Sequence, residues 1–257
     1  MRIFDAHTHV DTRGFTDLQT LALFGVEGLV TCAHDVMPFS CQDTLFDHFA
    51  RLLDFDCKRL RANAITPYVA LGIHPRGVPK RGVNEVLDRL PEFLALDPVV
   101  AVGEIGLQSG GDEERSIFRA QLEIAKNMGL PCIVHTPESD KDTVTEKILT
   151  IIDQVGIDKS AVLIDHVNEK NFPIVRDSGC WIGFTVQVGK LTEARAADLI
   201  ESSDRNHCVL DSDLASASLE LLALPKAVLE LRKRGFPRED IEKVAFENAC
   251  RFYSVSF

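Results

Sequence analysis

Eight short apolar runs, each followed by a more polar, amphipathic stretch, limit what this chain can fold into more than any other feature. The runs lie at 3–8, 28–33, 66–72, 99–104, 131–135, 161–165, 180–183 and 208–211. They are mostly continuous in Val, Ile, Leu and Cys, the pattern of strands buried on both faces of a parallel sheet. Helical patterns read over 45–60 with a cap at Asp43, over 83–96 after Gly82, and over 113–128, stopping at Gly129 with Pro131 beyond. Others cover 143–155 up to Gly156, 194–201, and 219–234 up to Gly235. This alternation in 257 residues predicts one (β/α)8 TIM barrel domain over 1–257, a fold that needs about 250 residues. A doubly wound open sheet is the rival, but no G-x-G-x-x-G follows the first run to support it. No linker, low-complexity tract or repeat divides the chain.

In such a barrel the C-terminal strand ends converge on one mouth, where chemistry occurs. The first run ends in His7-Thr8-His9. Residues i and i+2 of a strand share a face, so these two imidazoles aim into one volume, as a divalent metal requires. The following strand ends supply His34 and Asp35, then His74-Pro75-Arg76, then Glu104 flanked by Gly103 and Gly106. Beyond them come His135-Thr136, Asp165-His166 and Asp211-Ser212-Asp213. Six of the eight histidines in the chain fall at these positions, which scatter would rarely produce. A carboxylate such as Glu104 inside an apolar strand is costly unless paired or metal-bound. Four histidines (His7, His9, His135, His166) with Glu104 and Asp213 suffice for two metal ions. Asp35 reads as a turn residue, and His34 as an ordinary buried histidine.

Net charge is −11, which argues against avid non-specific binding to DNA, RNA or anionic membranes. A phosphate-bearing substrate at a metal site remains compatible, because the ions supply local positive charge. Arg76, Lys80 and Arg81 after the third run form a basic cluster, and Arg76 is the expected substrate contact. Arg13 and Lys190 are weaker candidates of the same type. No apolar run reaches the roughly 20 residues of a membrane span. The first residues enter a strand directly rather than in the order of a signal peptide. Seven cysteines without a C-x-x-C read as small buried thiols in a reducing compartment. A cytoplasmic protein is expected, with no membrane and no obligate protein partner.

The ordered set Asp5-Ala6-His7-Thr8-His9, Gly72-Ile73-His74-Pro75, Gly103-Glu104-Ile105-Gly106-Leu107, His135, His166, Asp213 and Asn248-Ala249-x-Arg251-Phe252 resembles the TatD-like metal-dependent hydrolases of the amidohydrolase group. The resemblance implies a TIM barrel with two divalent ions. His7, His9 and Asp213 would hold one, His135 and His166 the other, and Glu104 would bridge them. A hydroxide between the ions would be the nucleophile. Asp213 would accept and pass on its proton. His74 would hydrogen-bond a substrate oxygen or orient a metal ligand. Four imidazoles favour Zn, Mn, Fe, Co or Ni over Mg, although availability can override that preference.

Departures from the family pattern fall at substrate-facing positions. Arg76 stands where a second His is common, Gln108 where Asp is frequent, Thr136-Pro137 where an Arg usually follows, and Asp211-Ser212-Asp213-Leu214-Ala215 replaces a Glu-Thr-Asp motif. The leading expectation is hydrolysis of a phosphoester in a small molecule, nucleotide or nucleic acid, DNA included. The alternatives are an amide, lactone or other carboxyl-derived substrate, and a non-catalytic barrel that only binds.

Overall fold

Eight parallel strands pair in sequence order in the structure, a computed structural model that describes residues 1–257. They are β1 (Ile3–Thr8), β2 (Val26–Cys32), β3 (Thr66–Leu71), β4 (Val99–Gly106), β5 (Cys132–His135), β6 (Val162–Ile164), β7 (Trp181–Thr185) and β8 (Cys208–Asp211). The last strand returns to the first. Asp213 N–H donates to His7 O at 2.9 Å, and His9 N–H to Leu214 O at 2.9 Å. Thr8 and Leu214 form a parallel bridge. The sheet therefore curls into a nearly closed barrel with helices outside it, the architecture that the strand–helix alternation predicts.

Helices depart from the sequence reading where local hydrogen bonds or tertiary packing intervene. The stretch expected over 45–60 is helical from Gln42–Arg51 through a π turn at Leu52–Asp56 to Cys57–Arg61. Asp43 does not cap it. The preceding Cys41 is the boundary residue, and Asp43 lies in the first turn, where a carboxylate favours the helix dipole. The helix expected from 219 begins only at Ala223. Gln187 Oε1 accepts from Glu220 N–H at 3.0 Å, and Glu220 Oε1 from Leu222 N–H at 2.9 Å, which holds this segment in a loop. Short helices at Phe15–Leu23 and Phe172–Arg176, and the helical run from Arg238–Glu242 to Asn248–Phe252, are additions to the sequence reading. No helix is long and apolar enough to cross a membrane.

The core has two layers. The larger lies between strands and helices. The smaller fills the barrel with residues such as Ala6, Cys32, Ala70, Ala101, Ile133 and Leu163. Phe246, Ala249, Phe252 and Tyr253 join this inner layer from the C-terminal helix, packing around Phe4. The C-terminal motif is thus a plug for the end of the barrel opposite the mouth. Tyr253 Oη donates to Ala6 O at 2.7 Å. Asn248 Nδ2 donates to the carbonyls of Arg205 and Cys208, both at 2.7 Å. Arg251 stacks on Trp181, 4.9 Å from its ring centre. All seven cysteines are unpaired, and Cys32, Cys132, Cys180 and Cys208 are buried.

Asn248→Ala removes both donors from these carbonyls, Cys208 O among them at the start of β8. It should cost about 1–3 kcal/mol, read as a lower urea midpoint with an unchanged m-value.

Candidate metal centre

The strand ends converge on a cleft of about 460 Å³ lined by His9, Glu104, His135, His166 and Asp213, together with Arg76 and Lys190. His7 and His74 lie buried beneath it. All the metal-ligating residues expected from the sequence, and His74, are brought together.

Strand alternation alone would not place them there. On β1 the inner layer takes Phe4 and Ala6, so strict alternation would turn His7 and His9 away from it. Pairing with β2 is irregular between Asp5 and Thr8, and beyond that point both histidines reach the barrel axis. On β4, Ala101 belongs to the inner layer. An irregularity between Val102 and Ile105 brings in Glu104. The flanking glycines make this possible. A Cβ on Gly103 would lie 2.9 Å from Ile133 Cβ. Gly106 has φ +143°, and a Cβ there would meet His135 O at 2.6 Å. His166 (φ +57°) and Asp213 (φ +43°) adopt left-handed backbone, which costs a non-glycine residue about 1–3 kcal/mol. His166 N–H is held by Asp165 Oδ1 at 2.7 Å, and Asp213 N–H by His7 O.

Glu104 sits at the centre and is almost fully buried. Its Oε1 lies 2.8 Å from His135 Nδ1 and 2.9 Å from His166 Nε2. Its Oε2 faces His7 Nε2 at 3.3 Å and His9 Nε2 at 3.6 Å. Asp213 Oδ1 lies 2.9 Å from His9 Nε2. Burial pushes the Glu104 carboxyl up, but His7, His74 and His135 outweigh that and hold it well below its ordinary range. Burial also opposes ionisation of Asp213, yet Lys190 and then His9 hold it well below its usual value.

The donor set fits a divalent cation. His9 Nδ1 faces Cys32 O at 3.0 Å; a carbonyl only accepts, so the ring carries its proton on Nδ1. His7 Nδ1 is fixed in the same way by the carboxylate of Asp165. Both Nε2 atoms therefore turn inward, 3.1 Å apart, beside the oxygens of Glu104 and Asp213, where each can ligate an ion once it gives up a proton. The two carboxylates need positive charge among them, which a divalent cation supplies in place of protons on the rings. In the other group, His135 Nε2 faces Gln108 Oε1 at 3.1 Å, which leaves the Nδ1 lone pair for the Glu104 side. His74 differs. Its Nδ1 accepts from Arg76 N–H at 3.1 Å, so its proton sits on Nε2. That N–H is buried without a hydrogen-bond partner, 3.4 Å from Glu104 Oε2. It is a donor aimed into the centre rather than a ligand.

Several supporting residues escaped the sequence reading. Asp165 orients His7, and its position before His166 was a legible signal. Burial pushes Asp165 up, but His166 and His7 hold it below its usual range. Burial and the neighbouring Asp165 raise Asp211 well above its usual value. Lys141, buried, donates to Thr136 O at 3.2 Å, Thr136 Oγ1 at 2.8 Å and His166 O at 2.8 Å. It ties the ends of β5 and β6 together, and nothing in the sequence marked it.

The basic residues sort by depth. Lys190 pairs with Asp213 and lies 3.0 Å from His166 Nδ1. Arg76 lines the cleft but is half exposed and pairs with Asp35 at 3.1 Å. Asp35 thus faces the mouth. Lys80, Arg81 and Arg13 do not line the cleft. Arg13 instead pairs with Asp17 at 3.0 Å.

Residues 4–254 match the family described as "TatD related DNase", and the chain belongs to that family. It is 39% identical to a protein of Methanocaldococcus jannaschii named "Uncharacterized metal-dependent hydrolase", over 98% of this chain and 100% of the relative. The crystal structure of the TatD-like protein from Archaeoglobus fulgidus superposes with a TM-score of 0.84 at 32% identity, covering 98% of this chain and 100% of that one. The TatD homologue YjjV of Escherichia coli shares the fold, with a TM-score of 0.75 at 22% identity over 99% of both chains. The chain is a metal-dependent hydrolase of this family.

Glu104→Ala should remove most of the bound divalent metal, counted by elemental analysis of the purified protein. Asp165→Asn should keep the fold by circular dichroism and weaken metal affinity by about 10–100-fold, measured by competition with a chromophoric chelator.

Proposed function

We propose that residues 1–257 form a single hydrolase domain that holds two divalent ions and cleaves a phosphoester. The observation that carries this reading is the division of labour at Glu104, whose two oxygens face two separate imidazole pairs. His7, His9 and Asp213 would hold one ion, His135 and His166 the other, with Glu104 between them. The imidazole-rich set favours Zn, Mn, Fe, Co or Ni over Mg. When bound, such ions polarise the scissile group and lower the pKa of a water molecule.

The chain's own groups complete the chemistry. Asp213, ionised and facing the cleft, accepts the proton of the attacking water and returns it to the leaving oxygen. His74 donates its Nε2–H to a substrate oxygen, since Arg76 N–H fixes the tautomer that allows this. Lys190 and Arg76 give the mouth two cations for an anionic substrate, in a chain whose overall charge is negative. The cleft volume suits a small molecule, a nucleotide or the end of a nucleic-acid strand. The DNase in the family's description points the same way. The second reading, a carboxyl-derived substrate, is favoured by Thr136-Pro137, which stand where the family pattern usually has an Arg. Unpaired cysteines favour the reducing cytoplasm as the compartment.

Chelation should abolish turnover, and readdition of metal should restore it. With one metal-loaded preparation, phosphodiesters should give higher kcat/KM than amides or lactones. The reverse ranking selects the carboxyl-derived reading. Asp213→Asn should lower kcat by about 10²–10⁴-fold, measured on the best phosphodiester with metal content determined in parallel.

A further inference from the structure

A second cluster of metal-ligating side chains lies beside the Glu104 centre. Asp11, in the loop after β1, His34, in the loop after β2, and His48, in the helix Gln42–Arg51, are all buried. Their ligand atoms lie within 4.8 Å of one another. His34 Nε2 is 3.0 Å from Asp11 Oδ1. His48 Nε2 accepts a long hydrogen bond, 3.4 Å, from His34 N–H, which an ion held by this nitrogen would replace. Burial pushes the His48 imidazole down to about 4, which leaves that ring uncharged near neutral pH.

The Asp11 carboxylate lacks the cation that its burial calls for. Its side chain is fully buried, and Oδ2 has no hydrogen-bond partner. Two arginines stand close but are engaged elsewhere. Arg51 pairs with Asp56 at 3.3 Å and donates to the main-chain oxygen of Asp11. Arg59 pairs with the other oxygen of Asp56 at 2.5 Å and donates to the carbonyls of Val10 and Arg13. Neither reaches the Asp11 carboxylate, whose partner within ion-pair distance is His34. Buried charges are paired or bind metals. Two imidazoles and a carboxylate form a donor set that zinc takes readily.

We propose that Asp11, His34 and His48 form a separate binding site for a divalent transition-metal ion of the zinc type. His34 lines the cleft, so the ion enters from the same mouth that serves Glu104. The His34 ring stacks on His9 with centroids 4.0 Å apart, which sets the two sites side by side. An ion here adds positive charge to the wall of a cleft read above as taking an anionic substrate. The site itself stands on its own three residues, whatever Glu104 binds.

The direct test is anomalous diffraction at the zinc edge from the unmodified protein crystallised with saturating Zn²⁺. A peak enclosed by Asp11, His34 and His48 is expected. Absence of a peak there, with zinc bound at Glu104, overturns the proposal. In solution, D11N and H48Q should each bind one fewer Zn²⁺ per chain than the parent, while E104Q should retain this ion. Parent stoichiometry in both folded variants also overturns it. If the variants fail to fold, the diffraction result on the unmodified protein decides.

Discussion

A carboxylate at the axis of a barrel is the constraint on which this structure depends. Glu104 is removed from water, and no lysine or arginine pairs with it; its ion-pair partners are imidazoles. Each imidazole is in turn fixed through its other nitrogen or its backbone. His7 leans on Asp165, His9 on Cys32 O, His74 on Arg76 N–H, His135 on Gln108, and His166 on Thr185, at 2.8 Å. The barrel therefore does more than gather ligands. It assigns a tautomer to most of them, which decides that His7 and His9 turn the ligating Nε2 inward while His74 offers a proton. That distinction separates groups suited to hold an ion from one suited to contact a substrate.

The barrel itself was legible because buried parallel strands leave continuous apolar runs, and β1, β5 and β8 fall within a residue of their expected limits. The identity of the site residues was legible because polar side chains at the ends of such runs have few bland explanations. Their placement was not. The two-residue spacing of His7 and His9 correctly gave them a common face, but that face turns inward only because β1 slips against β2 after Asp5. Glu104 depends on a similar slip in β4, and His166 and Asp213 on left-handed backbone. These departures arise from pairing with neighbouring strands and leave little trace in the local pattern. The three-residue cluster around Asp11 was hidden for a related reason. His48 lies in a helix, where a histidine facing inward cannot be told from one facing water until the helix is docked.

The basic residues show where reading by sequence proximity fails. Arg76, Lys80 and Arg81 are neighbours along the chain, yet of these only Arg76 faces the cleft. Lys190, which lies beyond β7, is partly buried against Asp213. Loops after different strands meet at the mouth, so electrostatics there is set by which loop folds inward rather than by clusters along the chain.

The plug at the far end of the barrel ties the last turn of the chain to the first strand: Tyr253 Oη rests on Ala6 O, adjacent to His7. During synthesis β1 emerges well before the helix residues that seat it. The β8–β1 seam that positions Asp213 over His7 has the same order of arrival. Until the C-terminal helix clears the ribosome, the histidine-bearing strand has neither its floor nor its closing neighbour. The seating of His7 and His9 thus depends on residues more than 200 positions away, at β8 and in the plug, so the metal centre is a product of the closed barrel rather than of the strand that carries the histidines.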